Sequence, residues 1–232
     1  AGYDAIIVQG KAKDPVYIYI KDDDVEIRAA SELWGKDAYE TEDILRAEAG
    51  NDFAVACIGR AAERLSLISC ISTGKHSFAG RGGLGAVMGS KNLKAMVAHG
   101  TRKVTYAHPD KLKQINKAVA KKLIDNANAR APEMNIKTHG TAIVSVPFAE
   151  LGNLPVKNYK LGTFESGLES MKTPTFTETL KAKPWPCKFC VMQCHRFVEI
   201  DEGPYKMKGA GPEYENYAML GFDLMIDDLK AV

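Results

Sequence analysis

The sequence predicts an α+β fold: a β-rich domain of hairpins and short helices over residues 1–106, then a mainly α-helical domain over residues 107–232. Two observations carry this. Runs of β-branched and aromatic residues, such as Val16-Tyr17-Ile18-Tyr19-Ile20, alternate with polar turns through the first part of the chain. The composition then changes between 104 and 109, and Leu112, Ile115, Val119 and Leu123 recur at intervals of three and four, the period of an amphipathic helix. With 232 residues, 45% of them hydrophobic, the chain suits one large domain or two small ones.

In order, residues 5–10 are apolar and strand-like. Residues 15–20 and 25–28 are two strands joined by Lys21-Asp22-Asp23-Asp24, a hairpin. The three aspartates lack the glycine and terminal glutamate of an EF-hand, so a solvated turn is expected. A short helix is predicted from Thr41 to about Ala49, stopped by Gly50. Residues 53–58 read as a buried strand, and 61–69 as a helix with Leu65 and Ile68 on its inner face. Residues 72–77 read as a loop, 95–98 as a last strand, and His108-Pro109-Asp110 as the opening of the amphipathic helix, which runs to about Asn126. Residues 132–173 look irregular, punctuated by Gly140, Pro147, Gly152, Pro155, Gly162 and Gly167. A short helix over 177–183 is ended by Pro184 and Pro186. A strand at 197–200 and a turn at 201–204 follow. Pro212 suits the first position of a last helix, with Glu213 and Glu215 favoured by its dipole.

A net charge of +2, with lysines spread over solvated faces, gives no footprint for nucleic acid. Apolar runs such as Phe53-Ala54-Val55-Ala56-Cys57-Ile58 are too short to span a bilayer. There is no initiator Met or signal pattern, and the chain stops within an apparent helix, so a piece of a longer polypeptide is expected. An odd count of five cysteines without a secretory pattern fits the reducing cytoplasm.

Chemistry concentrates in Pro186-Cys187-Lys188-Phe189-Cys190-Val191-Met192-Gln193-Cys194-His195. Three of the five cysteines fall within eight residues as C-x2-C-x3-C. Buried structural cysteines usually occur singly, whereas thiolates at these spacings converge from one loop onto an iron–sulfur cluster or a structural zinc. Cys57 and Cys70 sit in apolar surroundings and are expected to be structural, with either a remote candidate for a fourth ligand.

The second concentration is Gly80-Arg81-Gly82-Gly83-Leu84-Gly85-Ala86-Val87-Met88-Gly89-Ser90-Lys91, five glycines in ten residues. Such a segment lets the backbone approach a ligand and aim N–H groups at an anion. Gly80, Gly82 and Gly85 satisfy G-x-G-x-x-G, but the preceding strand and the acidic residue about 20 positions later are both missing, so a dinucleotide fold is not predicted. Nor does Gly89-Ser90-Lys91 have the order of a Walker loop. A phosphate-bearing cofactor cradled by Arg81 and the glycines survives, against the plainer reading of a tight turn with close helix packing. Glu213 and Glu215 stand two apart and do not share a helical face. Capping is the default role of both, and a catalytic role for Glu213 is the sharper hypothesis.

Five segments in this order resemble the tungsten-containing aldehyde:ferredoxin oxidoreductase family: Ala1-Gly2-Tyr3-Asp4-Ala5, the Arg81–Lys91 run, Asn153-Leu154-Pro155 with Asn158, the cysteine run, and Gly211-Pro212-Glu213-Tyr214-Glu215. The resemblance covers nearly the whole chain. It implies the later part of a pterin-binding N-terminal domain and the opening of a helical iron–sulfur domain. It also implies tungsten (or molybdenum) held by two molybdopterins, a magnesium ion bridging their phosphates, and a nearby [4Fe-4S] cluster. Carried over by motif, Cys187, Cys190 and Cys194 ligate the cluster. Arg81, Gly82, Gly83 and Gly85 approach the pterin phosphates, the Gly82 carbonyl lies near the magnesium, and Glu213 lies close to the tungsten. The fourth cluster cysteine is implied to lie beyond Val232. The implied reaction oxidises an aldehyde to a carboxylic acid and passes electrons to ferredoxin, in the cytoplasm, with room for a homodimer. Relatives that reduce aromatic-ring thioesters of the benzoyl-CoA type are the alternative within the same chemistry. A zinc-stabilised binding module using Cys187, Cys190, Cys194 and either His195 or an outside ligand is the alternative outside it, and adjacent Cys194 and His195 make awkward partners in a tetrahedral site.

Overall fold

A computed structural model describes residues 2–187 and 189–232. Ala1 of the N-terminal motif and Lys188 of the cysteine run lie outside the described residues. The chain divides into two compact units, 1–107 and 108–232.

The first unit is built on a sheet. Strands β1 (Val16–Lys21) and β2 (Asp24–Ala29) form the predicted hairpin, with Asp22 at φ +52° in its two-residue turn. Helix α1 (Ala38–Ala49) starts three residues before its predicted position, because Asp37 and Glu40 close a capping box around its first turn. Gly50, at φ +116°, ends it as predicted. Strand β3 (Ala54–Cys57) follows, then the single turn α2 (Arg60–Glu63). The longer helix predicted over 61–69 does not form. Leu65 turns left-handed at φ +59°, and Leu65 and Ile68 are 50% and 86% exposed rather than facing inward.

Residues 72–77 are not a loop but the heart of a second hairpin, β4 (Ile71–Thr73) and β5 (Ser77–Ala79). Helix α3 (Leu84–Ser90) and strand β6 (Leu93–His99) complete the unit. Among the described residues the sheet has six strands in the order β2-β1-β6-β3-β4-β5, and only the β1–β6 pair is parallel. A strand does therefore precede the glycine segment, contrary to expectation. It is an antiparallel edge strand, so the topology still excludes a doubly wound dinucleotide fold.

Alternation along β1 buries both faces. Tyr17 joins Leu45 of α1, Phe53, Val55, Ala95 and Val97, while Ile18 and Ile20 join Ala62, Met88 and Leu93 beneath α2 and α3. Fully buried Lys94 donates to Lys36 O at 2.8 Å and pairs with Glu63, which also accepts from Gly35 N, so this buried charge is compensated. Among the described residues the strand predicted at 5–10 is absent. Ile7 is 86% exposed, and only Val8 packs on the core. With no neighbouring backbone in ladder register, an apolar run does not become a strand.

The second unit opens with α4 (Pro109–Asn128), as predicted, although Ile115, Val119 and Leu123 remain exposed along it. The stretch read as irregular is largely helical: a 3₁₀ turn at Pro132–Met134, α5 (Ile136–His139), a second 3₁₀ turn at Gly140–Val144, α6 (Ser145–Glu150) and α7 (Glu165–Met171). Gly140 ends α5, whereas Pro147 and Gly167 are accommodated within α6 and α7. Helix α8 (Thr175–Thr179) is shorter than predicted, because Lys183–Pro184 is recruited as strand β7. Strands β8 (Arg196–Ile200) and β9 (Met207–Ala210) complete an antiparallel sheet ordered β7-β8-β9.

The last helix, α9 (Tyr214–Tyr217), begins after Glu213, so Pro212 lies outside it and the N-cap falls to Glu213. A wider π-helical turn, Ala218–Phe222, continues it. Tyr217, Phe176 and Phe222 are buried at the centre of the unit's core, with Tyr217 stacked edge-on to Tyr214 and Phe222. Burial holds the Tyr217 hydroxyl far above its ordinary pKa, so it stays a neutral partner of Ser145 at 3.1 Å. Among the described residues, no helix is long and apolar enough to cross a membrane.

Candidate metal centre

Cys187, Cys190 and Cys194 lie in the loop joining β7 to β8, closed at its base by Trp185 N–H donating to His195 O at 2.9 Å. Two non-glycine residues in the loop, Phe189 at φ +65° and Gln193 at φ +52°, adopt the left-handed conformation. Each costs on the order of 1 kcal/mol or more, a strain that persists only where the surroundings over-determine it. A turn from Cys190 N–H to Cys187 O at 3.0 Å folds the first two cysteines back on themselves, and all three thiols are free. Phe189 is 92% exposed, so burial of its ring does not hold its left-handed turn.

Hydrogen bonding shapes the loop. The Arg196 guanidinium donates to His195 O at 2.8 Å, to Gln193 O, and to Lys137 O and Thr138 O of α5 at 2.9 and 2.8 Å. Gly140, at φ +65°, lets the α5 end approach, since a Cβ there would lie 2.6 Å from Cys194 O. The sequence marks Gly140 only as one of several breaks, and Arg196 only as a cation at the head of the strand predicted over 197–200.

Glu213 is brought to the same place by β9. Gly211 N–H donates to Arg196 O at 2.9 Å, and a Cβ on Gly211 would strike Val198 Cγ1 at 2.4 Å. Glu213 N–H is capped by Asn216 Oδ1 at 3.0 Å. Its Oε1 lies 3.2 Å from His195 Nε2 without hydrogen-bond alignment, and among the described residues this buried oxygen has no hydrogen-bond partner. Ligand atoms of Cys194, His195 and Glu213 all lie within 4.8 Å of one another, so the adjacent cysteine and histidine do converge, contrary to expectation. Burial pushes the Cys194 thiol up, and Glu213, Cys190 and Cys187 raise it further. A thiol whose ionisation is opposed by burial and by its acidic neighbours, beside an orphaned carboxylate oxygen, forms a donor set suited to a cation. Cys57 is different: burial lifts its thiol to about 11, leaving it an inert neutral group.

The glycine segment belongs to the first unit, and the structure separates its members. Gly83 caps α3 at φ +65°, and a Cβ on it would lie 2.4 Å from Leu67 O. Gly85 and Gly89 would meet Cys70 O at 2.6 Å and Ala62 O at 2.1 Å. The Gly85 N–H is already donated to Ser69 O at 3.1 Å. These three glycines answer to helix packing. Gly82 does not: it is exposed at φ +77°, a Cβ on it would meet nothing within 4 Å, and exposed Arg81 stands beside it. Gly83→Ala is therefore expected to cost about 2–4 kcal/mol, from left-handed strain plus overpacking, against about 1 kcal/mol for Gly82→Ala. Denaturant unfolding of the whole protein distinguishes them, and equal losses would contradict this division.

Residues 1–100 match the family model for the aldehyde ferredoxin oxidoreductase N-terminal domain, and residues 114–232 match that for its domains 2 and 3. The chain is 40% identical to the tungsten-containing aldehyde ferredoxin oxidoreductase of Pyrococcus furiosus, and 39% identical to that of Thermococcus kodakarensis. All of this chain is covered in each case, and 37% of the relative. An aliphatic sulfonate oxidoreductase, WOR-like subunit, of Pyrococcus furiosus is 31% identical over 97% of this chain and 38% of its own. The chain thus spans little more than a third of the curated relatives it matches. Among solved structures, the active-site complex of benzoyl coenzyme A reductase with 1,5-dienoyl-CoA is similar at a TM-score of 0.71 and 25% identity, covering 94% of this chain and 34% of that one. With both family models matched in register across the two units, the chain belongs to the aldehyde ferredoxin oxidoreductase family of oxidoreductases.

Proposed function

We propose that this chain forms part of an enzyme that oxidises aldehydes to carboxylic acids at a tungsten bis-pterin centre and passes electrons through a [4Fe-4S] cluster to ferredoxin. The observation that carries the reading is the convergence of Cys194, the last thiol of the cysteine run, with His195 and Glu213 at one partly buried point. Cys187, Cys190 and Cys194 hold the cluster, with the fourth ligand supplied from elsewhere in the protein. On the first unit, the part of the pterin-binding domain that this chain contains, Arg81 and the exposed backbone of Gly82 receive pterin phosphates and their magnesium ion, with Gly83 and Gly85 fixing the turn behind them. The metal centre supplies a two-electron step at low potential and the cluster a one-electron outlet. Glu213, in its ionised form, accepts a proton from water or substrate and becomes neutral, and His195 beside it, 3.2 Å away, orients the carboxylate.

Reduction of an aromatic-ring thioester is the second reading, favoured by the fold of the benzoyl coenzyme A reductase complex. The higher identity to aldehyde oxidoreductases supports the first. Metal analysis of the anaerobically purified full-length protein, paired with aldehyde-dependent ferredoxin reduction, tests both. Iron with tungsten and turnover of aldehydes is expected. Iron with tungsten but no turnover of any aldehyde would favour the thioester reading, and zinc alone would replace both with a binding module.

A further inference from the structure

Arg196 is 2% exposed, yet among the described residues no carboxylate lies within ion-pair distance of it. Its donors go to four backbone carbonyls, two of which, Gln193 O and His195 O, flank Cys194 on either side. Carbonyl dipoles satisfy the hydrogen-bonding capacity of a guanidinium but leave its unit charge uncancelled. A permanently charged group so placed needs a counter-charge nearby. The acidic group whose charge acts on it is the Cys194 thiol, held between two of those carbonyls, which becomes a thiolate when it ligates a metal.

We infer that Arg196 is the fixed positive charge that counters the cluster-bound thiolates, and thereby sets the reduction potential of the cluster. This rests on the cluster reading of the cysteine loop given above. Reduction adds one electron to an assembly that is already anionic. A buried cation clamped to the peptides on both sides of one ligand stabilises the reduced form more than the oxidised one. The mutual attraction of Arg196 and the Cys194 thiolate runs in the same direction, opposing the desolvation that otherwise disfavours the guanidinium charge. The carbonyl clamp gives the residue a positioning role as well, so charge and hydrogen bonding must be separated.

Arg196→Lys keeps the charge and breaks most of the clamp; Arg196→Gln breaks the clamp and removes the charge. In the full-length protein, iron content is measured first and the reduced fraction of the cluster is then followed by EPR at fixed potentials. Arg196→Gln is expected to lower the ratio of reduced to oxidised cluster about tenfold, equivalent to about 59 mV for a one-electron couple, with Arg196→Lys staying within about twofold of wild type. Loss of iron from Arg196→Gln but not from Arg196→Lys also supports the charge role. Equal shifts in both variants, no shift in either, or loss of iron from both would reduce Arg196 to a hydrogen-bonding clamp and overturn the inference. A wild-type protein without iron would instead sink the cluster reading, and the inference with it.

Discussion

Replacing Cys190 with serine in the full-length protein is expected to remove its iron and abolish electron delivery to ferredoxin. Serine preserves size and hydrogen bonding, so the turn from Cys190 N–H to Cys187 O and the Arg196 clamp remain, and the loop keeps its shape. What is lost is one of three thiols that fall within the same eight residues as Cys187 and Cys194, the soft ligands of the proposed cluster. Substitutions that touch only the partners of metal ligands already cost about 10–100-fold in metal affinity or activity, so loss of a ligand itself is expected to reach at least about 100-fold. Cys70→Ser serves as the control, because Cys70 is half-buried in the first unit and its sulfur contacts Ile68 O. Iron analysis and the visible sulfide-to-iron absorption read the outcome. Full iron occupancy in Cys190→Ser, or equal loss in Cys70→Ser, would remove the cysteine run from the metal site.

The elements legible in the sequence are those whose pattern and partner lie close together. The β1–β2 hairpin needed only its alternation and an aspartate turn, and α4 needed only its 3.6-residue period. Misreadings arose where distant contacts decide. Residues 5–10 carry strand-like side chains, but among the described residues no strand pairs with them. Leu65 and Ile68 have helical spacing, yet the Leu65 backbone turns left-handed, beside the Leu67 carbonyl that Gly83 approaches. The cysteine motif was visible as chemistry, because thiol spacing is local. The apparatus that shapes it was not: Arg196 reaches back to Lys137 and Thr138, and Gly140 admits Cys194 O, contacts separated by more than fifty positions. The glycine segment shows the same division from the other side. Its five glycines look equivalent in sequence, and only their neighbours in space separate open Gly82 from the packed Gly83, Gly85 and Gly89.

Glu213→Gln is expected to lower turnover by about 10²–10⁴-fold while iron and tungsten remain at wild-type levels, the range over which a positioned general base contributes. The geometry makes this a sharp test, because Glu213 has two neighbours with different claims on it. Toward Cys194 it is one of the acidic groups that oppose thiol ionisation, and toward His195 its Oε1 lies 3.2 Å from Nε2. If its purpose were to hold the loop, glutamine would loosen His195, and iron would fall together with activity. If Glu213 takes the proton, glutamine keeps the Glu213 N–H cap to Asn216, which depends on the backbone alone, and removes only the basic oxygen. A variant with unchanged turnover, or one that loses iron together with turnover, would return Glu213 to the capping role that its place before α9 already gives it.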